Sequence, residues 1–194
     1  MVGWLLASSE SQELAWRLFA DTLERWNIAP GTVRGHMDRG APMTGKTYTQ
    51  KMADLQVPIS YSRPRVSNDN PFSESQFKTL KYHPSYPGRF GGQEDGRNWC
   101  EDFFRWYNYD HRHSGIGYLT PATVHFGQAA AVLAARQSIL SQAYARAPQR
   151  FVHKAPTPGF LPSAVYINPP AKILTPEVII PTENHTISTL ISTP

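Results

Sequence analysis

Asp38 and Glu74 are the side chains of this sequence whose type and setting point to chemistry. Asp38 lies in His36-Met37-Asp38-Arg39-Gly40 and Glu74 in Asp69-Asn70-Pro71-Phe72-Ser73-Glu74-Ser75, with 35 residues between them. Acids gathered at one point can hold a hard cation such as Mg²⁺, which prefers carboxylate oxygens and keeps part of its water shell. Two such ions activate an attacking oxygen and stabilise the leaving oxygen in phosphoryl transfer. Spacing alone carries little weight, because most Asp–Glu pairs are solvated surface groups. Glu74 with Lys78 also reads as a plain i, i+4 helix pair worth about 0.3–0.5 kcal/mol.

The elements that must position these acids read as an α/β arrangement. Residues 2–7 predict a buried strand. Residues 10–27 predict a helix capped by Ser8 or Ser9, with Leu14, Leu18, Leu23 and Trp26 as its apolar stripe. Pro30-Gly31 ends it. A short strand over 32–37 leaves Asp38 just past its end, where acids of such sheets commonly face a site. A helix over 44–55, a strand over 57–61 and a polar loop over 62–69 follow. Asn70 as N-cap and Pro71 at the first helical position then start a helix reaching about Lys81. On it Glu74, Lys78 and Lys81 share one face, with Ser73, Phe77 and Leu80 as a neighbouring core stripe. After a loop over 82–92, residues 93–110 predict an aromatic helix whose Trp99, Phe103 and Trp106 read as core packing. A turn through 114–118 leads to a helical stretch from Thr120-Pro121 to about Ala147, with Leu133, Leu140 and Tyr144 on one side.

Composition sets broad bounds. The 194 residues are 40% hydrophobic, with five Trp and nine each of Tyr and Phe, enough to build a core. The formal net charge is +4, compatible with nucleic acid and with many other partners. Residues 34–112 hold 12 of the 19 Lys and Arg and 9 of the 15 acids, so the chemical region is mixed in charge. The single cysteine, Cys100, excludes an internal disulfide and a cysteine-based zinc site. It reads as a buried apolar residue rather than a nucleophile. His36, His83, His111 and His113 read as surface or packing groups rather than zinc ligands. Gly91-Gly92 lacks the context of a phosphate loop and reads as a flexible turn. The apolar start, residues 1–7, is too short to span a membrane. From Ala155 on, eight of 40 residues are Pro, which predicts a largely disordered tail over 155–194, with 165–168 and 178–180 as extended pieces.

Taken in order, several pieces resemble the integrase-type catalytic core of bacterial insertion-sequence transposases, relatives of retroviral integrases. They are His36 to Gly40, Ser67 to Ser75, Phe77 to Lys81, Tyr107-Asn108, Arg112-His113-Ser114, Gly117-Tyr118 and Thr120-Pro121. The interval between Asp38 and Glu74 matches the family's Asp–Glu spacing. The resemblance covers residues 1–126. Residues 127–154 are similar to a helical C-terminal extension of some of these transposases.

The resemblance implies a ribonuclease-H-like fold and DNA strand cleavage and transfer at a two-metal site holding Mg²⁺ or Mn²⁺. Asp38 matches the family's second acid and Glu74 its third, both as metal ligands. Lys78, Lys81, Arg39 and Arg112 match positions on the DNA side. The implied partners are DNA, at element ends and target, and further copies of the same chain. The implied setting is the bacterial cytoplasm, with no membrane. The sequence departs from the family in one respect. No acid upstream of Asp38 fits the first catalytic position, since Glu10, Glu13, Asp21 and Glu24 all fall on the first helix. The expectation is therefore a catalytic core lacking its first two strands, poorly folded and inactive by itself. The alternative expectation is a non-catalytic remnant that binds DNA or an intact transposase and inhibits it.

Overall fold

The computed structural model describes residues 1–167. Helix α1 (Gln12–Arg25) starts where the Ser11 side chain accepts a hydrogen bond from the Leu14 N–H at 3.1 Å. The cap is therefore Ser11 rather than Ser8 or Ser9. The inward face is Ala15, Trp16, Phe19 and Leu23, so the sequence-predicted stripe holds only at Leu23. Trp26, just past the helix, instead donates from its indole to the Val2 carbonyl at 2.8 Å.

A βαβ unit follows. Strand β1 (Gly35–Met37), the short helices α2 (Ala41–Thr44) and α3 (Lys46–Asp54), and strand β2 (Ile59–Tyr61) are consecutive. The strands pair in parallel with His36 opposite Ser60. Parallel neighbours need a crossover, and α2 and α3 supply it. Alternation along β1 buries Gly35 and Met37 and exposes His36. Met37, Tyr48, Met52 and Val57 form a first core beneath the inward face of α1.

The second half is helical. Helix α4 (Pro71–Lys81) is followed by α5 (Gln93–Tyr109), α6 (Pro121–His125) and α7 (Ala129–Arg146). Cys100, Phe103 and Phe104 of α5 form a second core with Trp4, Leu80, Trp99 and Trp106 against it. Trp99 and Phe103 stack at 5.1 Å between centroids, as the aromatic period predicts. The long helix expected from Thr120 is two helices, because the chain turns at Gly127, whose φ of +69° lies in the left-handed region.

Residues 2–7 form no strand, contrary to the sequence reading. Among the described residues no third strand pairs with β1 and β2, and a strand needs a partner for its backbone groups. The segment lies along α5 instead. Trp4 stacks on Phe104 at 5.3 Å, the Met1 amino group meets the Asn108 side chain, and Gln93 donates to the Leu6 carbonyl at 3.3 Å. Helix α4 also differs from expectation. Asn70 stands at the N-cap position but makes no side-chain capping bond, and no residue of the helix is buried. Phe77 is 57% exposed rather than in the core, because no described element lies over that face. Of its expected stripe only Leu80 packs, against the second core. Residues 155–167 form neither helix nor strand. The tail reading over 168–194, including the extended piece at 178–180, falls outside the described residues.

Candidate functional site

Asp38 and Glu74 line one cleft of about 710 Å³, together with His36, Ser73, Lys78 and Lys81. Its apolar lining includes Met37, Met43, Phe77 and Tyr82. Asp38 arrives there because β1 ends at Met37, one residue before it. Its Oδ1 accepts from the Gly40 N–H at 2.9 Å, fixing the turn after the strand. Glu74 arrives because α4 begins at Pro71 and carries the acid in its first turn, where the helix dipole favours negative charge. Lys78 and Lys81 follow on the same face, in the last turns.

A small polar lock holds the start of α4 against the strands. The His36 ring spans from the Ser60 hydroxyl (Nδ1, 2.9 Å) to the Asp69 carbonyl (Nε2, 2.9 Å). A carbonyl only accepts, so Nε2 carries the proton in that bond. Asp69, 4% exposed, takes a forked pair from Arg63, Nε to Oδ2 at 2.8 Å and Nη2 to Oδ1 at 2.9 Å. The Arg63 backbone N–H adds a third bond at 2.8 Å. Hydrogen bonding to Asp69, and then its charge, raise the Arg63 guanidinium above its ordinary pKa. The loop over 62–70 is thus closed on itself and bound to β1, which places the first turn of α4 beside Asp38.

Of the six residues singled out from sequence, four meet in the cleft: Asp38, Glu74, Lys78 and Lys81. Arg39 does not line it. Its Nε donates to the Ser62 carbonyl at 3.0 Å and its guanidinium lies 6.0 Å from the Tyr61 ring centroid, a brace for the end of β2. Arg112 is also outside the cleft lining and reaches the Tyr118 carbonyl only at 3.5 Å. The turn that contains it is closed by backbone bonds such as His113 to Leu119, and Arg136 of α7 also donates to the Gly117 and Tyr118 carbonyls at 2.8 and 2.7 Å. Sequence reasoning missed four positioning residues: His36, Arg63, Asp69 and Arg136. For His36 the signal was available, since strand alternation puts it on the face opposite the core. Nothing local marks Arg136 as the partner of a turn 18 residues upstream.

The histidines do not converge as metal ligands. His36 belongs to the lock, whereas His83, His111 and His113 sit among the second-core aromatics. His83 meets Trp106 at 4.5 Å, and His111 meets His113 at the same distance. Burial, then the neighbouring His83, lowers the His111 pKa. Burial, then His111, then the Met1 amino group lower that of His113. Burial likewise raises the Cys100 thiol, in keeping with an apolar role.

Asp38 and Glu74 both line this solvent-open cleft, and carboxylate oxygens are the donors that hard divalent cations prefer. Among the described residues no three His, Cys, Asp or Glu side chains group as metal ligands. The two acids therefore do not by themselves make a two-ion centre.

Comparison with known families matches residues 55–121 to the Integrase core domain. The match takes in Glu74, Lys78 and Lys81 and stops short of Asp38. It supports an integrase-like core, and with it a ribonuclease-H-like fold and a role in DNA integration or transposition. The mixed helices and small parallel sheet agree with such a fold. Integrase cores of this kind generally use divalent metal ions and act on DNA. No curated protein matches the chain. Among the described residues no helix is long and apolar enough to cross a membrane.

Proposed function

We propose that this chain is the C-terminal portion of a DDE-type transposase of a bacterial insertion sequence, acting on DNA in the cytoplasm. One observation carries the reading: Asp38 and Glu74 line the same cleft, beside the end of β1, with Lys78 and Lys81 in it. Asp38 and Glu74 are the residues that would hold Mg²⁺ or Mn²⁺. Bound there, the ion supplies Lewis-acid stabilisation of charge on phosphoryl oxygens. The remaining work belongs to the chain. Lys78 and Lys81 meet phosphates as point charges. His36, Arg63 and Asp69 hold the helix start in register with Asp38. Arg39 and Arg112, outside the cleft lining, contribute to DNA contact farther along the surface. In the complete enzyme the chain works as a homo-oligomer on element ends and target, and a further acid completes a two-ion site.

A second reading is favoured by the two-acid donor set. Without a third ligand the chain binds DNA or an intact transposase without cutting, and so inhibits transposition. The test uses the purified chain with labelled linear duplexes bearing 3′-hydroxyl ends, with and without Mg²⁺. Binding that weakens steeply with salt and no strand joining are expected. Mg²⁺-dependent joining would sink the inhibitor reading. Failure to bind any DNA would sink the first reading, and failure to bind an intact transposase as well would sink the second.

A further inference from the structure

A histidine stands at each end of helix α4, and the two differ in what a proton does to them. At the start, His36 donates from Nε2 to the Asp69 carbonyl, and its Nδ1 lies 2.9 Å from the Ser60 hydroxyl. That hydroxyl has the Gly35 carbonyl at 3.3 Å as a place for its own hydrogen, so its oxygen is free to accept from a protonated Nδ1. A charged His36 therefore keeps both bonds. Past the end of the helix, the His83 Nδ1 meets two donors of Ser85. The backbone N–H reaches it at 3.3 Å and the hydroxyl at 2.8 Å. The Ser85 hydroxyl oxygen and carbonyl already accept from the Trp99 indole, at 3.1 and 2.9 Å, which leaves the hydroxyl hydrogen for Nδ1. These bonds require a neutral ring with its proton on Nε2. A proton on Nδ1 breaks them, because a backbone N–H cannot accept.

No acid offsets a charge on this ring. It packs against Trp106, Phe103 and Trp99 of α5, with centroids 4.5, 5.5 and 6.2 Å away. The ionisable groups around it are Lys81 on its own side, Tyr86 of the following loop, Tyr107 of α5, His111 and His113 beyond α5, and the Met1 amino group. Among the described residues no carboxylate forms an ion pair with it.

We propose that His83 is a proton-operated latch: neutral, it fastens the end of α4 to α5 through Ser85 and Trp99, and protonated, it lets that end go while the start of α4 stays in its lock. Imidazole is the side chain whose charge changes between about pH 5 and 8. Lys81 and Tyr82, just before the latch, line the cleft with Asp38 and Glu74, so the latch sets one wall of it. The latch stands on these hydrogen bonds, and only its consequence for DNA rests on the function proposed above.

The experiment follows hydrogen exchange of the full chain by NMR between about pH 7.5 and 5.5, corrected for the intrinsic pH dependence of exchange, together with titration of the His83 ring. As the ring takes its proton, the amides of Lys81 to Ser85 and the Trp99 indole N–H are expected to lose protection about tenfold, in line with the loss of two hydrogen bonds. The amides of Glu74 and Ser75 should keep theirs. His83→Gln keeps a neutral acceptor and should abolish the response. Replacing His111 and His113 together by glutamine should preserve it. Unchanged protection at Ser85 and Trp99 while the ring titrates overturns the latch, as does an equal loss at both ends of α4 or a parental response in His83→Gln. Should that variant not fold, the ring and the Ser85 amide of the unaltered chain decide alone. None of these readings uses DNA, so failure of the DNA function is seen separately, in the binding assay above.

Discussion

The two cores of this chain are built by opposite means. The first, around Tyr48 and Met52, needs α1, α3 and both strands to meet, and its contacts join residues far apart in sequence. The second is centred on one helix, with Trp99, Phe103 and Trp106 on a common face. The cleft belongs to neither alone. Asp38 is set by the first core. Helix α4 is tied to the first core at its start, through His36 and Asp69, and to the second near its end, through Leu80 and the nearby His83. The separation of Asp38 from the lysines therefore depends on how the two cores sit together. A loss of stability in either one reaches the site from a different end of α4.

The largest test of this contrast truncates one buried side chain in each core. Phe103→Ala removes a ring 2% exposed, and Met52→Ala a side chain 0% exposed. Expected losses are about 3–5 and 2–5 kcal/mol respectively. Hydrogen exchange should lose protection first around the altered core, and identical losses over all amides would break the contrast. A smaller effect comes from Arg63→Ala, which strips two charged hydrogen bonds from Asp69. The melting midpoint is expected to fall less than in either core truncation, with protection lost at the start of α4 and kept in α5. Uniform loss across both helices would refute the local role given to the lock.

The smallest effect is a pH dependence confined to the second core. His111 and His113 titrate below their ordinary value of 6.5, because burial and neighbouring positive charge disfavour the protonated ring. The unfolded chain therefore takes up these protons first as pH falls. The histidines' contribution to stability is intact above about pH 6.5 and declines below it. Melting followed by tryptophan fluorescence should show a lower midpoint at pH 5.5 than at pH 7.5. Replacing both histidines by glutamine should flatten that difference, and an unchanged difference would assign it elsewhere.

How much of this was legible from sequence follows the same division. Helix α5 could be read because its aromatic period lies within the helix, although Trp4 and Leu80 from outside it complete the packing. Helix α4 could be placed because Pro71 marks its start. The meeting of Asp38 and Glu74 was legible through motif order and spacing rather than through either acid alone. Residues 2–7 were misread because apolar character specifies burial and not the presence of a pairing strand. The exposure of Phe77 was misread for a related reason: helical periodicity says which residues share a face, and only tertiary structure says what lies against it. Asp69 went unrecognised because its partners, the Arg63 guanidinium and the His36 ring, meet it only once the loop is folded.

Arg136 bears on where this chain can be divided. The family match ends at residue 121, yet the carbonyls of Gly117 and Tyr118 take their hydrogen bonds from a guanidinium on α7. Gly117 also lies against the backbone of Gly159 and Phe160, so closely that a β-carbon there would collide. A fragment cut at the edge of the match would leave the Arg112–Thr120 turn without the Arg136 hydrogen bonds and without the segment that covers it. The shortest piece that keeps this corner intact extends to about Phe160, so the segment that matches the family is shorter than the segment that its last turn needs.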